Sequence, residues 1–199
     1  MALTADEVRI AITGEVHVAP VGTTAPTSAT SVLDPAFKGL GYNNDEGIVE
    51  SFEESSEVIR AWQNNDAVRT VITESDKRFA FTLIQTNKDT LELYYKGSKV
   101  VSVGNGGHAL YVIPPKSDPR AIVLDVIDGD DHRRIYIPRG EVVERGEIEY
   151  VGGAPVGYNV TISCTPVPME FNDGDDTVTE NVPFVMFSNS PDWGEIPSP

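Results

Sequence analysis

EVIRAWQNNDAVRTVITESDKRFAFTLIQTNKDTLELYYKG, residues 57–97, is the stretch whose reading decides the fold. It holds three apolar runs separated by two turn clusters, Asn64-Asn65-Asp66 and Ser75-Asp76-Lys77, which is the pattern of an antiparallel meander. Phe79, Phe81 and Leu83 alternate with Ala80, Thr82 and Ile84, so a strand there presents its large side chains on one face. That face needs a cover. Thr86-Asn87-Lys88-Asp89 reads as a capping box with Thr86 at its head, and Gly97 suits the left-handed position that ends a helix. A short helix over 87–96 follows from these signals. Leu91, Leu93 and Tyr95 also alternate with period two, and a fourth strand fits them as well.

Moving outward, VRIAITGEVHVAPVG from Val8 reads as a strand and runs into VGTTAPTSATSVLDPAFKGLGYNNDEG, which is poor in regular structure. Asp34-Pro35 before Ala36 and Phe37, with Gly39 as a stop, predicts one short helical turn inside a long arm over 19–47. Such a connection usually carries function or contacts. Past Gly97 come β-rich runs at 100–103, 109–113 and 121–127, the last apolar on both faces as in a central buried strand. DGDDHRR, between Ile127 and Ile135, has the composition of a hairpin turn. Residues 146–151 and 158–165 read as a strand pair. Tyr158, Val160, Ile162 and Cys164 form its dry face, while Asn159, Thr161, Ser163 and Thr165, with Glu147 and Glu149 of the partner, form its wet one. The segment after Phe171 is acidic, carries proline and reads as an irregular arm. The expected fold is mostly β: an antiparallel β-sandwich or barrel with one short flanking α-helix, an extended N-terminal loop and a C-terminal arm. Residues 1–171 form the body, including the arm at 19–47, and 172–199 the C-terminal arm.

A chain of 199 residues with 40% apolar content supports one domain with a real core, and 17 Gly and 14 Pro suit a turn-rich β protein. The single cysteine, Cys164, excludes an intrachain disulfide and a cysteine metal cluster; its alternation with Val160 and Ile162 marks it as a buried apolar residue. The start, MALTADEVRIA, lacks the basic end and apolar stretch of a signal peptide, and no run is long enough to span a bilayer. A soluble, unsecreted product without membrane contact is expected. With 31 acidic against 15 basic residues, the net charge of −16 repels nucleic acid and anionic membranes. DNA affinity is disfavoured; tolerance of DNA nearby is not, and solubility alone also accounts for the charge.

The motifs that carry chemistry each meet a plainer explanation. Gly104-Asn105-Gly106-Gly107-His108-Ala109 satisfies G-x-G-x-x-A, with Asp125 at a distance suited to a ribose. A β-rich run ending in Pro114-Pro115 follows it, so the helix that must meet a pyrophosphate is missing and the glycines read as a turn. Asp125, Asp128, Asp130, Asp131 and Asn172, Asp173, Asp175, Asp176 offer oxygen ligands for calcium, but neither group matches an EF-hand loop and turn chemistry explains both. His17, His108 and His132 fall in different elements, and no G-x-S-x-G or H-E-x-x-H is present. Close carboxylate pairs carry no information among 31 acids. No catalysis, cofactor or metal is expected. Trp62, in an apolar run, reads as core.

The run Gly14-Glu15-Val16-His17-Val18-Ala19-Pro20-Val21-Gly22-Thr23-Thr24-Ala25-Pro26-Thr27, then Leu33-Asp34-Pro35-Ala36-Phe37 and Leu40-Gly41-Tyr42, resembles the N-terminal part of the major tail proteins, or tail tube proteins, of long-tailed bacteriophages. Glu57-Val58-Ile59-Arg60-Ala61-Trp62, Val68-Arg69-Thr70, Phe79-Ala80-Phe81-Thr82-Leu83 and Leu91-Glu92-Leu93-Tyr94-Tyr95 with Gly97 resemble that family's central block, and the likeness runs through Ile135-Tyr136-Ile137-Pro138 to about Pro166. Each fragment is weakly specific; their order and spacing are much more so.

The resemblance implies a structural virion protein of the phage tail, made in the bacterial host cytoplasm. Its copies assemble into hexameric rings that stack as a tube for the genome. The partners it implies are other copies, the tape measure protein, terminator and distal tail protein, and double-stranded DNA in transit without specific binding. Under it, Glu147, Glu149, Thr161 and Ser163 are candidates to face the lumen. Pro20, Pro26, Leu33, Phe37, Tyr42, Phe184, Phe187 and Trp193 are candidates for contacts between subunits. The alternative class is an acidic β-sandwich module that binds a saccharide or protein as a monomer or small oligomer. It needs a concave aromatic patch, which the sequence does not show clearly.

Overall fold

The computed structural model describes residues 8–173, 176–190 and Trp193. In chain order it contains β1 (Thr13–Pro20), β2 (Lys38–Gly39), β3 (Asn43–Arg60), β4 (Ala67–Leu83), α1 (Lys88–Tyr94), β5 (Lys99–Gly104) and β6 (Gly107–Tyr111). After these come β7 (Arg120–Asp128), β8 (Asp131–Arg145), β9 (Tyr158–Cys164), β10 (Val167–Asp173), β11 (Asp176–Val182) and β12 (Val185–Ser188). The protein is mostly β with one short helix, as the sequence predicts. One sheet runs in the order β2-β1-β7-β8-β9-β4-β3, with β12 also on β8; β5–β6 and β10–β11 are separate hairpins. The path does not return to its first strand, so among the described residues the sheet is open.

Strand alternation sorts the side chains. Val16 of β1, Leu124 of β7, Ile137 of β8, Ile162 of β9 and Phe79 of β4 share one buried face, and α1 lays Leu93 and Tyr94 against it. The helix therefore supplies the cover that Phe79, Phe81 and Leu83 require. On the opposite face, Ala19, Ala121, Val123 and Tyr136 form a smaller cluster beneath Phe37, with Leu33, Met169 and Phe187 packed alongside. Both faces of β7 are covered, which is why residues 121–124 carry no polar side chain. Burial also pushes the Cys164 thiol up to about 12, with the nearby Asp76 and Glu50 carboxylates adding to it.

Several local expectations are corrected. Ser75-Asp76-Lys77 is not a turn: β4 runs straight through it, pairing these residues with Glu54, Glu53 and Phe52. Their side chains are held in the strand, Lys77 by Glu54 at 2.7 Å and Asp76 by Arg78 at 2.7 Å and Ser163 at 2.8 Å. The helix is capped by Asn87, whose side chain accepts from the Thr90 N–H, while the Thr86 hydroxyl pairs with the Tyr158 hydroxyl at 3.0 Å. Gly97 takes its expected left-handed conformation at φ +84. The Asp34-Pro35 helical turn is a single hydrogen-bonded turn, in which the Asp34 carbonyl accepts the Phe37 N–H at 2.9 Å before the chain enters β2.

The strand expected from Val8 begins at Thr13. Residues 146–151 are not a strand, because β9 is already flanked by β4 on one side and by the end of β8 on the other, leaving no edge to pair. The C-terminal region is not irregular either. β10 spans the expected boundary at 171/172, β11 pairs back on it, and β12 places Met186 opposite Ile135 on β8. Asp175 of the second acidic group and most of the expected C-terminal tail past Ser190 lie outside the described residues.

Candidate assembly interface

Antiparallel strands stop paying off when no third element covers them, and β3 and β4 pass that point. β9 accompanies β4 only from Arg78 to Leu83, so from Phe52 and Lys77 outward the two strands form a bare ribbon about 30 Å long at the usual rise. Residues 51–60 of β3 are all exposed. β3 also ends the sheet, and one side of its backbone has no partner strand among the described residues.

Register divides the ribbon into two unlike faces. On the side that continues the core, Phe52 packs toward Phe184, with ring centroids 6.5 Å apart and the Lys77 ammonium 4.3 Å above the Phe52 ring. Beyond it Val58 and Ile72 stand 41% and 63% exposed, with no described element over them. The reverse side is mostly polar, with Ile59 and Val71 its apolar members near the tip. Arg78 reaches Asp76 at 2.7 Å, Glu144 at 2.9 Å and Glu53 at 3.4 Å, and the Ser163 hydroxyl donates to Asp76 at 2.8 Å. Burial opposes ionisation of Asp76, but the hydrogen bonds from Arg78 and Ser163 outweigh it and hold the carboxyl below its ordinary value. For Glu54, at the base of the ribbon, the hydrogen bond from Lys77 is the largest influence and lowers it.

The candidate lumen residues separate into two groups. Thr161 and Ser163 lie on this polar face in β9, opposite Ala80 and Arg78 of β4. Glu147 and Glu149 are exposed in the loop between β8 and β9. The candidate contact residues separate as well. Tyr42 is 76% exposed, and Pro20 is exposed at the end of β1. Pro26 is buried, Phe37 and Leu33 belong to the smaller cluster, and Phe187 packs on the same cluster. Phe184 meets Phe79 edge-on at 5.3 Å, and Trp193 stacks beneath the Arg133 guanidinium at 5.6 Å.

The arm between β1 and β2 lies on its own sheet. The Arg134 guanidinium grips both Asp125 oxygens at 2.7 and 3.0 Å and donates to the carbonyls of Ser31 at 2.6 Å and Ser28 at 3.3 Å. Arg134 and Asp125 are both buried.

Trp62, which reads as core in the sequence, stands 97% exposed at the tip of the ribbon. The turn there runs over 62–65 with Asn64 and Asn65 at φ +61 and +57, so the tryptophan closes the loop instead of continuing the strand. The signal was the adjacent Gln63-Asn64-Asn65-Asp66. The glycine-rich motif at 104–109 forms the β5–β6 turn, with Gly104, Asn105 and Gly106 all at positive φ. Among the described residues no group of three His, Cys, Asp or Glu is placed to hold a metal ion, and no helix is long and apolar enough to cross a membrane.

The model of the family described as phage tail tube protein matches residues 1–168. No curated protein matches the chain. Among solved structures, a chain in the virion of a native gene transfer agent particle aligns with a TM-score of 0.38 and 7% identity, over 74% of this chain and 92% of that one.

Proposed function

The chain belongs to the phage tail tube protein family, and from that premise we propose that its copies close into hexameric rings whose stacking forms an acidic conduit for the genome. Its role is structural, in the tail of the virion. The bare β3–β4 ribbon carries the proposal. A free two-stranded ribbon is marginal in water, and its open edge and uncovered apolar face are satisfied when sister copies add strands and surface to it.

The polar face bearing Thr161, Ser163, Asp76 and Glu53 is the side assigned to the lumen. Glu147 and Glu149 add charge at its margin. Six copies with sixteen excess negative charges each bring about 96 to a ring, so DNA phosphates are repelled from the wall and the genome slides without adhering. Contacts between subunits fall to the exposed members of the arms, Tyr42, Pro20 and Trp193; Pro26, Leu33, Phe37, Phe184 and Phe187 shape the surfaces beneath them. Synthesis occurs in the host cytoplasm, and the tape measure, terminator and distal tail proteins are the expected heterologous partners.

The test is size-exclusion chromatography with negative-stain microscopy of the full chain, alone and with its tail partners. Rings or tubes are expected. A monodisperse monomer in every mixture, concentration and salt condition overturns the reading.

A further inference from the structure

The β5–β6 hairpin repeats the ribbon's problem on a smaller scale. Its register puts Lys99, Val101 and Val103 on the same face as Tyr111, and Val101, Val103 and Tyr111 are 40%, 56% and 64% exposed. The opposite face carries Val100 and Leu110, both half-buried. The hairpin is fastened at its base through backbone N–H groups: Val100 donates to Glu92 at 3.0 Å and Ile113 to the Ser98 hydroxyl at 3.2 Å. Its outward face is thus an apolar stripe on an anchored support.

The hairpin is free of acidic side chains. Residues 93–117 contain no acidic residue in a chain whose net charge is −16; of their three lysines, Lys99 is held by Glu92 at 3.1 Å and Lys96 by Glu141 at 3.0 Å, while Lys116 is exposed. β3 has the opposite balance, with six acidic residues and one arginine. Each element exposes an apolar stripe, Val58 and Ile72 on the ribbon and Val101, Val103 and Tyr111 on the hairpin, and the first is flanked by carboxylates where the second carries none.

We infer that the apolar face of the β3–β4 ribbon of one copy docks on the exposed face of the β5–β6 hairpin of the next copy. Two different surfaces of the same chain that fit each other make a head-to-tail contact, which propagates into a closed ring or an open stack depending on the rotation it imposes. Apolar surface at the centre supplies the attraction, and the acid-free hairpin is a surface that does not repel the acidic ribbon, which sets the orientation. The pairing rests on the tube reading and specifies which surfaces carry it.

The test uses the full chain under conditions where the wild type assembles. A Val58→Cys, Val103→Cys double variant is treated with a short bismaleimide; Cys164, buried at 4% exposure, stays silent. A ladder of covalent oligomers from assembled protein, absent from dilute monomer, is expected. Separately, Val103→Glu places an acid against the acidic ribbon and lowers assembly by about tenfold, and adding Val58→Lys restores it. Both positions are exposed, so circular dichroism and melting of the monomer stay unchanged. Tubes that form without a ladder, or a Val103→Glu defect that Val58→Lys does not relieve, overturn the pairing and leave the tube reading standing. If the wild type forms no assembly even with its tail partners, the tube reading fails and the pairing with it.

Discussion

Arg134 and Asp125 show how a single pair holds an otherwise irregular arm. The guanidinium satisfies the carboxylate with two donors and turns a third toward the Ser31 and Ser28 carbonyls, so sheet and arm share one charged group. Arg134→Ala leaves Asp125 buried without its countercharge, and the expected cost is about 3 kcal/mol in denaturant unfolding, with faster proteolysis within residues 21–37. Glu92 plays a similar part at the base of β5. Burial opposes its ionisation, but the Val100 N–H and the Lys99 and Lys88 ammonium groups outweigh it and hold the carboxyl below its ordinary 4.5. A carboxyl lowered in the folded state contributes stability that is fully present above its ordinary value and is lost as pH falls through the folded one. Thermal melts should therefore fall as pH drops below about 4.5, and Glu92→Gln should cost about 1 kcal/mol at neutral pH and flatten that decline.

At the scale of elements, the ribbon has little cover from its own chain. Its backbone hydrogen bonds face solvent on both faces, so in dilute monomer the amides of residues 52–60 and 67–77 should exchange rapidly, and assembly should protect them. Trp62 gives an optical version of the same test. In a Trp193→Phe background its emission should lie at long wavelength in the monomer and shift to shorter wavelength on assembly; unchanged emission in tubes would mean that the tip stays in water. Among the described residues the β10–β11 hairpin is likewise joined to no other strand, and Phe171 at its side is 45% exposed.

For the whole molecule, long-range repulsion opposes association while apolar surface and open edges favour it. At −16 per copy the repulsion between approaching subunits is screened as the Debye length falls from about 10 Å at 0.1 M salt to about 3 Å at 1 M. The concentration needed for assembly, followed by light scattering, should therefore drop as salt is raised. Apolar attraction survives the same salt, and tubes formed by the protein should retain no duplex DNA at 0.1 M salt.

The sequence by itself determined what depends on neighbours along the chain. Alternation at 79–83 and 158–164 identified which side of β4 and β9 is buried, the double-sided apolar run at 121–127 marked β7 as central, and the glycines at 104–107 marked a turn. Local pattern also carried the family. Tertiary structure decided what depends on occupancy of space. Ser75-Asp76-Lys77 has turn composition but is kept extended by pairing with β3, residues 146–151 have strand composition but find no vacant edge beside β9, and Trp62 has core composition but sits where the ribbon has outrun its own cover. Side-chain period reports which face a residue occupies; whether anything lies against that face is fixed only when the other strands take their places.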